Sequence, residues 1–356
     1  MTKKTAVVYS PRYLNHRTGS HHPESPSRLR VIMRELNRSG ILKSESCSLV
    51  EPEIASVQDL ELVHKRDYIQ LIQLVCMAGG GLLDREDTVV SPESFDVARL
   101  AVGGTLKTVN MVMADEFKNA FALVRPPGHH AGPYYAMGFC VFNNVAIAAS
   151  HLLEKFNLNR VLILDIDAHH GNGTQEIFYR NDKVLYISLH EDPSEFPLTG
   201  FIEEIGEDEG LGYTVNIPLP FGTNDTTYLK AFNEVVVPII NQYKPQFILV
   251  STGFDNYHKD PVAELSLSAY SFIKIFDAIL ELASKFCQSK LVAVLEGGYN
   301  LRFLGKMTAA VTARMAGIPY FIKDKRLGAV SKVRKKGEKT IEKVKKIQSS
   351  FWDIKP

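Results

Sequence analysis

Residues 165–173 read DIDAHHGNG, directly after the apolar run VLIL at 161–164. A strand that apolar is expected to be buried, and carboxylates at its end are costly to bury unless something pairs with them. Alternation along an extended chain would turn Asp165, Asp167 and His169 to one face, with Ile166 and Ala168 on the other. A divalent cation would relieve the repulsion, and Asp oxygens with a His nitrogen suit zinc or a similar first-row metal. A third ligand must come from elsewhere in the chain. Asp255, in STGFDNYHKDP, stands at a second apolar strand end. Three protein ligands with one position left open describe a catalytic site better than a structural one. Read alone, DIDAH is also what a solvated turn or a salt-bridged core carboxylate looks like.

His129 and His130 are adjacent in RPPGHHAG, a loop entered through a stiff proline pair. Imidazole is the side chain most readily poised to move a proton near neutral pH, so this pair offers a base and a charged or hydrogen-bonded companion. His21, His22, His151 and His258 are expected to be ordinary polar residues. Tyr299 follows two glycines in LEGGYN, where a phenol aimed at a metal could donate to a developing oxyanion. Phe139 in MGFC and Phe196 in SEFPLTG could wall a narrow apolar channel, although core packing is the default for any single Phe. No Ser or Cys sits in a nucleophile motif, and no phosphate loop is present. Metal-assisted hydrolysis by water is the chemistry that remains.

These motifs need strand ends to hold them. Expected strands cover 6–10, 120–126, 160–167, 184–190, 213–219, 246–252 and 291–298, with helical patterns near 26–39, 92–115, 143–156, 226–243, 267–286 and 301–316. Strands apolar on both faces and separated by helices imply a parallel sheet covered on both sides, with ligands at the carboxyl ends of its strands. The polar motifs follow five different strands there, which points to one shared site.

The chain has 356 residues and a formal net charge of +1, an ordinary globular composition, and no apolar stretch near the roughly 18 residues of a membrane span. The start MTKKTAVVYS does not read as a secretory signal. Cys47, Cys76, Cys140 and Cys287 are scattered, which argues against disulfides and thiolate metal sites and fits a reducing cytoplasm. Between Lys323 and Lys346 there are eleven Lys or Arg against three acids. Ile341, Val344, Ile347 or Gln348, and Phe351 recur at helical spacing in this stretch. A helix over about 330–352 docked on the core with a solvated basic face is therefore expected, rather than a nucleic-acid patch. The whole of 1–356 is expected to be one domain.

Taken together, HPESPSRL, RPPGHHA, DIDAHHGNGTQ, GFD and LEGGYN, in this order and spacing, resemble the zinc-dependent histone deacetylase and acetylpolyamine amidohydrolase family. The likeness covers nearly the whole chain. It implies the arginase/deacetylase fold, a three-layer αβα architecture with a mainly parallel sheet of roughly eight strands. It implies removal of acetyl or other acyl groups from the ε-amine of lysine, in a peptide or protein, or from a related acetylated amine, with no membrane or direct nucleic-acid partner. Asp167, His169 and Asp255 would be ligands of Zn2+, with Fe2+ the other possible ion. His130 would be the general base and later acid, His129 its electrostatic partner oriented by Asp165, and Tyr299 the donor that polarises the scissile carbonyl. Phe139 and Phe196, with Gly138, Val262 and Gly298, would form the acyl-lysine tunnel, and Arg28 would stand at an internal product channel. The family also binds K+. One such site would involve Asp165, Asp167, His169, Ser188 and Leu189, and a peripheral one Phe178, Asn181, Val184 and Tyr213.

The chain departs from the family pattern in three places. Asn172 stands where one branch has Asp, so an amide rather than a carboxylate orients His130. Val262 occupies a position where polyamine-preferring relatives can carry Glu. PLTG replaces the more usual PGTG beside Phe196. Two rival readings remain. A two-manganese arginase-like hydrolase needs a DAHxD pattern where this chain has DAHHG, and an idle acyl-lysine-binding module would not need every catalytic position filled.

Overall fold

A computed structural model describes residues 4–84 and 86–355. The first three residues of the start that was read for a secretory signal lie outside the described residues. The strands are β1 (Lys4–Val8), β2 (Cys47–Val50), β3 (Gly81–Leu82), β4 (Val89–Val90), β5 (Phe117–Ala122), β6 (Val161–Asp165), β7 (Val184–Glu191), β8 (Thr214–Leu219), β9 (Phe247–Thr252) and β10 (Leu291–Leu295). All but the β3–β4 hairpin join one sheet in the order β2-β1-β5-β10-β9-β6-β7-β8. Every neighbouring pair in that sheet is parallel. The helices are α1 (Ser27–Arg38), α2 (Val57–Glu61), α3 (Arg66–Met77), α4 (Ser94–Met113), α5 (Asn144–Phe156), α6 (Asn172–Phe178), α7 (Asp225–Ala231), α8 (Val237–Tyr243), α9 (Ala269–Phe286), α10 (Leu304–Ala316) and α11 (Ser331–Gln348).

Burial explains the sheet. Every residue of β6, β7, β9 and β10 is buried, as continuous Val, Ile and Leu runs require when helices cover both faces. Asp165 is in register with Ser251 of β9 and Ser188 of β7, so the polar ends of three strands meet at one edge. The single helix expected over 226–243 is interrupted by a π-turn at Phe232–Val236. Pro238 has no N–H for the preceding turn and its ring crowds it, so the backbone widens there.

Helix α11 buries Ile341 and Val344 in the main core, and Gln348 Nε2 donates to the Thr214 carbonyl at 3.3 Å. Lys332, Lys335, Lys336, Lys343 and Lys346 face outward. Phe351, expected on the same stripe, is 37% exposed because the helix ends at Gln348 and its spacing no longer applies. Instead Trp352 is the side chain that anchors the turn, its Nε1 donating to the Gly212 carbonyl at 3.0 Å. Among the described residues no helix is long and apolar enough to cross a membrane. All four cysteines are free and buried.

Candidate metal centre and its cleft

The alternation expected along 165–169 ends at its first residue, because β6 stops at Asp165. Beyond it, short-range hydrogen bonds replace the pleat: Asp167 N donates to Asp165 Oδ1 at 3.1 Å, and His169 N donates to Asp167 Oδ1 at 3.0 Å. Each carboxylate thus folds back on the next residue but one and fixes the chain without a sheet partner. The result still brings the expected ligands together. Donor atoms of Asp167, His169 and Asp255 all lie within 4.8 Å of one another. His169 Nδ1 is 3.5 Å from Asp167 Oδ1 and 3.5 Å from Asp255 Oδ2.

Backbone donors hold one side of each carboxylate. Gly297 N donates to Asp167 Oδ2 at 2.8 Å, and Ala168 N to Asp255 Oδ1 at 2.9 Å. Asp255 Oδ2 is buried with no hydrogen-bond partner. Burial raises the Asp255 carboxyl, and the Asp167 charge raises it further. His169 rises well above its ordinary value despite burial, drawn up by Asp167 and Asp255. Two buried carboxylates and an unpartnered oxygen around one imidazole are a site that demands positive charge, and the oxygen and nitrogen donor set fits a divalent ion of the zinc or ferrous type.

Three further strand ends supply the remaining groups. After β5, Gly128 N donates to Glu296 Oε2 at 2.7 Å, which ties the histidine loop to the end of β10. His129 Nδ1 donates to Asp165 Oδ2 at 3.0 Å, and its Nε2 is 3.8 Å from Asp167 Oδ1. Burial works against the charged ring, but Asp165 and Asp167 prevail and push His129 up to about 10. His130, tilted against it with 4.0 Å between ring centres, is held well below its ordinary value by burial and then by the His129 charge. The two adjacent imidazoles therefore have opposite character, one charged and one neutral. His130 Nδ1 faces Asn172 Oδ1 at 2.7 Å, which leaves Nε2 as its free lone pair.

Tyr299, beyond β10, has its backbone N–H held by Asp260 Oδ2 at 2.7 Å. Its ring meets Phe139 edge-on at 5.7 Å. Phe196 lies 5.0 Å from His130 and 5.6 Å from His169. Gly138, Phe139, Phe196, Val262 and Tyr299 line a cleft of about 190 Å³ that ends on Asp167 and His169, with Glu86 and Asp87 at its mouth. Gly298, expected in that wall, is not among the residues that line the cleft. Its φ of 112° packs it against Phe254, and its carbonyl accepts from Arg28 Nε at 2.7 Å. Arg28 is fully buried, 4.9 Å from the Tyr299 ring centre, and paired with Glu24 Oε1 at 3.1 Å. Arg125 joins the same Glu24 oxygen at 2.8 Å.

The residues expected around potassium lie along β7 and its neighbours. Ser188 lies beside Asp165, and its Oγ is 2.7 Å from His190 Nδ1, while the Leu189 carbonyl accepts from Tyr228 Oη at 3.4 Å. Farther out, Asn181 N donates to the Phe178 carbonyl, Val184 N to Asn181 Oδ1, and Tyr186 N to the Tyr213 carbonyl.

Several supporting residues escaped sequence reasoning. His22, expected to be plain surface, has its Nε2 3.0 Å from the Asp87 carbonyl and its Nδ1 3.1 Å from the Glu24 backbone N–H, and packs edge-on against Phe139 at 4.7 Å. His258 is likewise no surface residue, since it is nearly buried 3.6 Å from Asp324. His151 is buried and bonded to Asn110. Thr88 Oγ1 accepts from Phe139 N at 3.2 Å. The Asp before Pro in HKDP was the one available signal for Asp260. At Gly171, a Cβ would stand 2.4 Å from Asp165 Oδ2 and 2.7 Å from Tyr186 Oη, so the position has no room for the extra carboxylate of a two-metal site.

Residues 22–315 match the family described as the histone deacetylase domain. The chain is 41% identical, over 98% of both sequences, to a probable deacetylase of Archaeoglobus fulgidus. It is 36% identical to a histone deacetylase-like amidohydrolase of Pseudomonas aeruginosa, covering 91% of this chain and 89% of that one. The crystal structure of the HDA15 HD domain superposes with a TM-score of 0.88 at 35% identity, covering 99% of this chain and 96% of the other.

Proposed function

The chain belongs to the histone deacetylase family, and from that premise we propose that it is a single-domain, metal-dependent hydrolase that removes acyl groups from the ε-amine of lysine. The supporting observation is the convergence of Asp167, His169 and Asp255 within 4.8 Å, with Asp167 and His169 lining a narrow cleft shared with His130 and Tyr299. Asp167, His169 and Asp255 would hold Zn2+ or Fe2+. Such an ion, when bound, supplies a Lewis acid and lowers the pKa of water from 15.7 towards roughly 7.

The chain's own residues do the rest. Phe139 and Phe196 clasp the apolar stem of the acyl-lysine and exclude bulk water. His130 Nε2 takes the proton of the attacking water, and the charge on His129, braced by Asp165, makes the protonated His130 the stronger acid for returning that proton. Tyr299 donates its phenolic hydrogen to the oxygen of the tetrahedral oxyanion, a contact typically worth roughly 3 kcal/mol. His130 then returns its proton to the departing amine, and acetate leaves past Arg28. Potassium held near Asp165 and Ser188, and in the cluster of Phe178, Asn181, Val184 and Tyr213, is part of the same reading and rests on the family likeness.

The acids at the cleft mouth, Glu86 and Asp87, would also attract a cationic small amine, which gives an acetylated polyamine as the second reading. Val262, uncharged beside the cleft, weighs against it. A turnover panel of acetyl-lysine peptides, longer acyl-lysine peptides and acetylated polyamines, run with the metal content measured on the same sample, tests both. Hydrolysis of the peptides supports the first reading and hydrolysis of polyamines alone the second. No hydrolysis by metal-loaded protein overturns both.

A further inference from the structure

A chain of hydrogen bonds runs outward from His130 through Asn172 to two residues that no sequence motif singled out, Tyr135 and Glu176. Asn172 Nδ2 donates to Tyr135 Oη at 3.1 Å, and Tyr135 Oη donates to Glu176 Oε2 at 2.7 Å. Two weaker acceptors also face Asn172 Nδ2, the His130 carbonyl at 3.4 Å and Met137 Sδ at 3.5 Å. The Tyr135 ring lies against Gly132, where a Cβ would stand 2.4 Å from its Cε1 and Cζ. Glu176 is exposed on α6, and a surface hollow of about 570 Å³ opens between Tyr135, Asn172 and Glu176.

The direction of every bond in this chain follows from its outer end. An ionised carboxylate has no proton to give, so Glu176 can only accept, and the Tyr135 hydroxyl must donate to it. The Tyr135 oxygen then has only lone pairs left, and the part of Asn172 that faces it must be the NH2. That fixes the amide carbonyl towards His130, and a carbonyl can only accept, so the proton of the neutral ring sits on Nδ1. An unanchored Asn172 can turn over and present its NH2 to Nδ1, which puts the ring proton on Nε2 and removes the lone pair that faces the cleft. A carboxylate at position 172 would need no anchor, because both of its oxygens accept.

We propose that Tyr135 and Glu176 are positioning residues that set the tautomer of His130 through the orientation of the Asn172 amide. This rests on the reading of His130 as the base, and deepens it. The test compares the zinc-loaded wild type with Tyr135→Phe, which keeps the ring and removes the hydroxyl, and with Glu176→Ala, an exposed substitution that leaves the fold undisturbed. On an acetyl-lysine peptide, Tyr135→Phe lowers kcat roughly fivefold, the equivalent of about 1 kcal/mol for one ordinary hydrogen bond, with KM within twofold and zinc content unchanged. Glu176→Ala gives a smaller fall of the same kind. In an Asn172→Asp background, Tyr135→Phe has no further effect on kcat.

Nitrogen NMR of labelled histidine reads the same quantity directly, with the His130 signals identified by their loss in His130→Ala. The wild type shows the Nδ1–H form, and both variants show a growing share of Nε2–H. The proposal is overturned by an unchanged tautomer in Tyr135→Phe, by a kcat equal to wild type, or by the same fivefold loss with Asp at position 172. Should metal-loaded wild type hydrolyse nothing, the functional reading fails, while the ring signals still decide the tautomer.

Discussion

Gly297→Ala carries the sharpest consequence of the metal reading. The residue follows β10 and has no left-handed φ, so its backbone accepts an alanine. Space does not. The added Cβ would stand 2.1 Å from Asp255 Oδ2 and 2.6 Å from Asp167 Oδ2, where real contacts essentially never fall below 3.0 Å. Opening the first contact to that limit moves a carboxylate oxygen by about 0.9 Å, several times the roughly 0.2 Å tolerance of a metal–ligand distance. The second carboxylate cannot give way freely, because the Gly297 N–H holds its oxygen at 2.8 Å. Disturbing even the groups around metal ligands costs roughly ten- to a hundredfold in affinity, so moving two ligands at once should cost roughly a hundredfold or more. Zinc content after dialysis against a chelator-buffered zinc series measures this, with Gly328→Ala as the control because a Cβ there meets nothing within 4 Å. Zinc affinity in Gly297→Ala within threefold of wild type would refute the assignment of these two oxygens as metal ligands.

Tyr299→Phe should lower turnover roughly a hundredfold or more while zinc content stays at the wild-type level, and equal turnover by the variant would remove the phenol from the mechanism. Glu24→Gln should cost roughly 3 kcal/mol or more in urea unfolding, since it leaves the buried guanidinium groups of Arg28 and Arg125 without their shared countercharge, and a loss under 1 kcal/mol would contradict that account. Burial holds His64 down at about 4, its Nδ1–H donating to the Gly132 carbonyl and its Nε2 accepting from Asn143 N. The unfolded chain therefore binds that proton first, and stability present above pH 6.5 is lost as the pH falls towards 4, by roughly 3 kcal/mol from this one ring. His64→Gln should flatten the pH dependence of urea unfolding over that window by the same amount, and parallel curves for the two proteins would refute the assignment.

The strands that read clearly from the chain are those whose burial is complete. VLIL of β6, FILV of β9 and LVAVL of β10 are apolar on both faces, and runs this short between helical patterns are too brief for a buried helix. CSLV of β2 gave no such signal because it forms the sheet edge, where Leu49 stays half exposed and Ser48 breaks the run. Helix α3 was hidden for the opposite reason. Its Leu71, Leu74 and Met77 are apolar yet exposed, so the contrast between faces that marks a surface helix is blurred. Helix α6 is short and begins inside the motif read for chemistry, at Asn172 itself.

The site shows the same division between local and distant causes. The candidate ligands were legible because Asp and His at the end of a buried strand are expensive wherever they lie, whereas their positioning depends on partners far along the chain. His22 reaches the Asp87 carbonyl, Asp260 holds Tyr299, and Glu176 meets Tyr135, and none of these pairs leaves a periodic trace. The glycines stand between the two cases. In sequence, Gly253 and Gly297 carry no chemistry of their own and stand only beside residues that do. In the fold, a Cβ at Gly253 would lie 2.0 Å from Asp167 Oδ2, while one at Gly297 would strike Asp255. Two carboxylates that repel each other come within reach of one imidazole because both neighbouring loops lack side chains at the points of closest approach. The missing side chains at these two positions do as much as the charged ones to define the centre.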